Sequence, residues 1–195
     1  MYQLGLTGGI GSGKTLVCSI LEKLGVPVYY ADSAARRLMN SDAKLRNGIV
    51  GIFGAEVYNG AVLNRDLLAR KVFGNQEMLE KLNAMVHPAV RKDYSGWVES
   101  QKVAPYVVEE AAILFESGAD RLMDGSVLVY APEALRIKRV MKRDGVDEEA
   151  VRNRMIHQMD EDKKKKRADH IIYNDEKEML LPQVIALHNK VINSR

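Results

Sequence analysis

The chain has 195 residues, 46% of them hydrophobic and 28% charged, with a formal net charge of +3, a single cysteine and therefore no internal disulfide. That length suits one domain, or one carrying inserted sub-domains, able to bury ~70% of its unfolded surface. The small net charge gives no ground for a nucleic-acid or membrane partner, no apolar run approaches the ~20 residues of a membrane span, and without a signal-peptide pattern a reducing cytoplasm is the expected setting.

Tyr2–Leu6 is a short apolar run suited to a buried strand. It leads into Gly8-Gly9-Ile10-Gly11-Ser12-Gly13-Lys14-Thr15, which carries the pattern G-x-x-x-x-G-K-[ST]. The glycines let the backbone approach phosphate oxygens through successive N–H groups, and the following helix adds the partial positive charge of its N-terminus. Lys14 reaches the β/γ-phosphates, and the Thr15 hydroxyl holds Mg²⁺. By composition roughly one chain in a hundred would match the string by chance. Strand before and helix after, with Leu16, Val17, Ile20, Leu21 and Leu24 at helical spacing, make coincidence rarer. Cys18 sits among these apolar residues and reads as a small core residue.

Gly25 is placed to end the first helix, and Val26–Ala31 reads as a second buried strand. Asp32 follows at its carboxyl end, where open α/β sheets bind ligands. Its alternative is the N-cap of a helix over Ser33–Met39, which Ser33 could cap instead.

From Asp42 to Lys102 helices follow one another, around Ala43–Phe53, Asp66–Phe73, Gln76–Val86 and Ala89–Val98. Turns at Gly54, Asn59-Gly60 and Gly74-Asn75 separate them, and no buried strand intervenes. His87-Pro88 reads as a helix boundary. Pro105–Val108, Ser126–Tyr130 and His170–Tyr173 supply strands three to five, so the fold class is α/β with a parallel, helix-covered sheet. Pro132–Arg167 is polar and helical, with Arg136, Arg139 and Arg143 along one helix face. With no core of its own to serve, it reads as a lid whose arginines close on polyphosphate, while most of the Lys163–Arg167 run reads as solvated surface.

Phosphoryl transfer needs donor and acceptor in line and charge neutralised by Lys, Mg²⁺ and Arg, with a carboxylate on the acceptor hydroxyl. Lys14, Thr15, the lid arginines and Asp32 are candidates for those parts, which points to a small-molecule kinase. A GTPase is disfavoured, because Asn189-Lys190-Val191-Ile192 lacks the acid of N-K-x-D. A nucleic-acid role for the lysine run is disfavoured too, since no aromatic residue interleaves it.

Beyond that point the residues alone leave the acceptor open. The opening Gly5–Lys14 with Ala31-Asp32 closely resembles that of dephospho-coenzyme A kinases. Phe53–Val57, Leu63-Asn64-Arg65, Leu82–Pro88, Ile113–Glu116, Arg139 through Gly145, Arg154 with Gln158, and Ala168–Asn174 continue the likeness in the family's order. The resemblance implies a P-loop NTPase-type three-layer sheet with a core of about 1–41, 103–131 and 168–195, a helical substrate-binding insertion of about 42–102 and a lid of about 132–167. It implies ATP and Mg²⁺ as cofactors and dephospho-CoA as acceptor; separately, a monomer or weak homo-oligomer is expected. Asp32, Lys14 and Arg139 match catalytic positions, and Gly8 through Leu16, Arg139, Arg143 and Asn174 match the nucleotide site. Asp32, Arg65 and His87 match the acceptor side. The family's Asp-Ala-Asp is Tyr30-Ala31-Asp32 here, its Pro-Leu-Leu-Phe-Glu begins with Ala112, and Leu16 replaces a hydroxyl residue whose backbone N–H still suits phosphate.

Overall fold

The computed structural model describes residues 1–193. In chain order the elements are β1 (Tyr2–Thr7), α1 (Lys14–Lys23), β2 (Val28–Tyr30), α2 (Ala31–Ser41), α3 (Ala43–Phe53), β3 (Tyr58–Asn59), β4 (Val62–Leu63), α4 (Arg65–Val72) and α5 (Gln76–Ser100). They continue as β5 (Tyr106–Glu110), β6 (Gly125–Tyr130), α6 (Glu133–Asp144), α7 (Glu148–Met155), α8 (Glu161–Arg167), β7 (His170–Tyr173) and α9 (Leu180–Asn193). The chain divides into two compact units, 1–30 with 101–195 and Ala31–Ser100.

The first unit is built on a five-stranded sheet in the order β2-β5-β1-β6-β7, parallel throughout, with helices on both sides. Its strands are near-continuous apolar runs because both faces are covered. Leu4, Leu6, Val108, Val127, Val129 and Ile172 meet Val17, Cys18 and Leu21 of α1 and Val184, Leu187 and Val191 of α9 in one core. The strand order reverses beside β1, so the loop leaving β1 lies where open α/β sheets hold ligands. Burial first, then the Glu110 carboxylate, pushes the Cys18 thiol well above its ordinary range, as a core residue requires.

Three readings of this unit need correction. The third strand runs on through Glu109 and Glu110, both buried. The region 132–167 does have a core: Ile137 and Val140 of α6 pack on Val151 of α7, with Ile10 of the glycine loop against them. Apolar residues three apart amid charge are enough to hide that stripe from the sequence. The lysine run is not simply solvated either, since Lys164 is wholly buried and Lys165 and Arg167 stand on the rings of Tyr130 and Phe115.

The second unit is helical. Asp42, Asn64 and Asn75 start α3, α4 and α5 by accepting from the N–H groups of Leu45, Leu67 and Met78. Here α2 begins at Ala31, two residues before the expected Ser33, so Asp32 lies inside its first turn and caps nothing. A two-residue loop at Gly60, with φ 62°, joins the short antiparallel pair β3 and β4; the turn at Asn59-Gly60 was expected, the two strands beside it were not. The two helices expected over 76–98 are one, α5, running through Pro88. Val86, Val90 and Tyr94 bury one stripe across the proline, and that burial outweighs the missing N–H. His87 is therefore mid-helix, not a boundary.

Candidate active site

The loop between β1 and α1 is shaped by its own backbone and by neighbours. Ser12 N–H donates to the Gly9 carbonyl at 3.1 Å, and Gly13 takes a left-handed conformation (φ 99°, ψ 22°) to start α1 without any side-chain cap. No side chain caps α1, and the partial positive charge of the helix dipole lies at the loop. Asn174, at the end of β7, donates from Nδ2 to the Ser12 carbonyl at 2.8 Å and lies so close to Gly13 that no side chain would fit there.

Lys14 donates from Nζ to the Gly8 carbonyl at 2.9 Å and lies 3.9 Å from a Glu110 carboxylate oxygen. The register explains that approach, because Glu110 stands opposite Leu6 at the carboxyl end of β1. Glu110 was not singled out from the sequence; the only available signal was an acid ending an apolar strand beside the loop. With the exposed Thr15 it offers oxygen donors suited to Mg²⁺. Mg²⁺ on a nucleotide takes one or two protein oxygens and leaves the rest to phosphates and water, so these residues fit it.

Gln158 and Arg136 close the other side of the loop. Gln158 Oε1 accepts from the Ile10 N–H at 2.9 Å. Arg136, 5% exposed, donates from Nε to the Ala131 carbonyl at 3.1 Å, and its Nη1 abuts Gly9. The segment carrying Gln158 is anchored by an ionic cluster around the buried Lys164. There Lys164 Nζ lies 3.3 Å from Glu116 and 3.8 Å from Glu161, and Glu116 accepts from the Met159 N–H at 2.6 Å. A cleft of about 580 Å³ opens beside it, lined in part by Arg136, Arg152, Met155 and Gln158.

Arg139 donates from Nη1 to the Asn174 carbonyl at 3.1 Å and pairs with Glu176 at 3.2 Å. Arg143 turns outward to Asp144, which also pairs with Arg154. The Arg143 hydrogen bonds, reinforced by Arg154, hold the Asp144 carboxyl down at about 2. The first unit therefore brings the loop, Lys14, Arg139 and Asn174 together, and holds Arg143 at an exposed pair. The Leu16 N–H donates to Gly13 at 3.0 Å, within the first turn.

In the second unit Asp32 and Arg65 are exposed, and neither side chain enters a hydrogen bond or ion pair among the described residues. His87 is half-buried in α5, and burial followed by the Arg91 charge lowers its pKa. The departures from the family pattern also have local accounts. Tyr30 packs on the main core, and burial, then Cys18 and Glu22, push its phenol up, so it stays neutral. The turn at Ala112 is held without proline by the Ala111 N–H on the Leu6 carbonyl and the Thr7 hydroxyl on the Ala112 carbonyl.

A parallel sheet whose first strand delivers a glycine loop, lysine and threonine to its carboxyl end defines a P-loop kinase fold. The sequence profile of the dephospho-CoA kinase (CoaE) family matches residues 2–179. The chain is 46% identical to a dephospho-CoA kinase of Salinibacter ruber, over 90% of this chain and 89% of that one. It is 40% identical to one of Porphyromonas gingivalis, over 100% and 96%. A crystal structure of a Thermus thermophilus protein, TT1252, superposes with a TM-score of 0.85 at 35% identity, covering 99% of this chain and 97% of that one. This chain belongs to the dephospho-CoA kinase family.

Proposed function

We propose that this chain transfers the γ-phosphoryl group of ATP to the ribose 3′-hydroxyl of dephospho-CoA, giving CoA and ADP, the last step of coenzyme A synthesis. The observation that carries the reading is the glycine loop, held open by Asn174 and Gln158 with Lys14 at its mouth, in a chain of this family. In the transfer the acceptor oxygen bonds to the γ-phosphorus as the bond to the β–γ bridging oxygen breaks. The electron pair leaves on ADP, and the hydroxyl proton passes to the Asp32 carboxylate. Covalent continuity supports that role, since two residues from Tyr30 at the end of β2 span at most about 7 Å.

Lys14 and the N-terminus of α1 hold the β- and γ-phosphates, Asn174 lines the adenine side, and Arg139 and Arg143 serve the nucleotide from the lid formed by α6, α7 and α8. Thr15 and Glu110 would hold Mg²⁺, which would supply charge neutralisation at the β- and γ-phosphates. The helical insertion takes dephospho-CoA through Arg65 and His87, and the setting is cytoplasmic. Coupled ADP release with dephospho-CoA, compared against nucleosides and nucleoside monophosphates, tests the reading. Turnover confined to dephospho-CoA is expected; turnover of a nucleoside without dephospho-CoA activity would overturn it.

A further inference from the structure

We infer that Arg136 is a catalytic arginine supplied from within the chain, whose guanidinium binds the phosphoryl group in flight. This deepens the proposed phosphoryl transfer and rests on it. Arg136 lies in the first turns of α6, yet it is 5% exposed on a helix whose other charged residues face out or half out. No carboxylate lies within 4.0 Å of its guanidinium among the described residues, so a cation largely withdrawn from water, its outer nitrogens open only to the cleft, has no anion in exchange. Desolvated charge left in that state is costly unless a ligand completes it. The nearest acid at the loop, Glu161, faces Gly9 as well but is ion-paired with Lys164 at 3.8 Å. Glu133 and Arg152 line the same cleft and are paired with each other at 2.7 Å.

Geometry sets which phosphate it meets. Lys14 Nζ, the β/γ-phosphate ligand, sits on the Gly8 carbonyl, so the γ end of the nucleotide lies at the Gly8–Ile10 side of the loop. Arg136 Nη1 abuts Gly9 on that same side, and the backbone of Arg136 presses on Gly11. Its Nε is occupied by the Ala131 carbonyl, which fixes the plane of the fork and leaves the outer nitrogens for the ligand. A planar, immobile fork matches the equatorial oxygens of a phosphoryl group passing between two oxygens. As the acceptor oxygen bonds to phosphorus and the bridging oxygen leaves with its electron pair, Arg136 neutralises charge and exchanges no proton.

The test measures ADP affinity with and without fluoroaluminate, alongside turnover of dephospho-CoA, in the wild type, R136A and R136K. The expected result is ADP binding within about threefold of wild type in both variants, loss of the fluoroaluminate tightening in R136A, and turnover down by about a thousandfold. R136K, which keeps a buried cation and the packing, should fall between them, and added guanidinium should restore part of the R136A rate. Retained tightening in both variants overturns the inference, as does an equal loss of ADP and fluoroaluminate affinity, which would mark a structural role. Weaker dephospho-CoA binding with tightening intact would assign Arg136 to the acceptor's diphosphate and overturn it too. Arg136-dependent tightening in an enzyme that ignores dephospho-CoA would leave this inference standing and remove the acceptor reading.

Discussion

Asp32 and Lys164 mark the two ends of what a single side chain reveals. Asp32 is exposed in the first turn of α2 with no protein partner among the described residues, the state expected of a carboxylate that awaits a hydroxyl. Asp32→Asn should keep ATP affinity within about threefold while lowering turnover by roughly 10²–10⁴, the span of general base catalysis. Steady-state kinetics with calorimetric ATP binding checks this, and wild-type turnover in the variant would remove Asp32 from the chemistry. Its position was legible because an acid right after a buried strand is placed by strand geometry alone. Lys164 was not, because four consecutive lysines give no periodicity to show that one of them points inward onto Glu116 and Glu161. Arg136 shared a helix face with Arg139 and Arg143 in the sequence, and nothing there showed that it alone of the three is buried, against Gly9.

Among the elements, the helices of the second unit were readable, but their caps and their continuity were not. Asp42 and Asn64 cap α3 and α4, whereas the helix expected to start at Ser33 begins at Ala31. Whether α5 stops at Pro88 depends on burial of Val86, Val90 and Tyr94, which local propensity does not contain. The pair β3 and β4 escaped because two residues are too few to show alternation. Since Pro88 is exposed and supplies no N–H within α5, Pro88→Ala should restore a backbone bond and stabilise the protein by about 1 kcal/mol, or ~2–4 °C in Tm. Differential scanning calorimetry reads this; a lowered Tm would mean that the packing of α5 requires the distortion proline imposes.

For the molecule as a whole, five apolar runs and a glycine loop were enough to predict the parallel sheet, while the buried acids at its carboxyl edge needed the strand register to be seen. Stability should depend on pH through two histidines. Burial, then Arg91, lowers the pKa of His87; burial, then Lys190, lowers that of His170 against a smaller opposing effect of Asp169. Both folded values lie below the ordinary 6.5, so between the two the unfolded chain binds more protons than the fold. Stability is therefore full above about 6.5 and is lost as the pH falls toward the lowered folded values. Denaturant titrations from pH 7.5 to 5.5 should show that slope, and it should flatten in the H87Q/H170Q double variant. An unchanged slope would assign the acid sensitivity to other groups.

The function proposed for this chain turns on where one phosphoryl group lands. Incubation with ATP labelled in its γ-phosphate and dephospho-CoA, followed by mass spectrometry and phosphorus NMR of the product, reads the destination directly. One labelled phosphate per acceptor is expected, on the ribose 3′-oxygen, with ADP formed in equal amount. Label released as inorganic phosphate, or carried by any other position or acceptor, would contradict it.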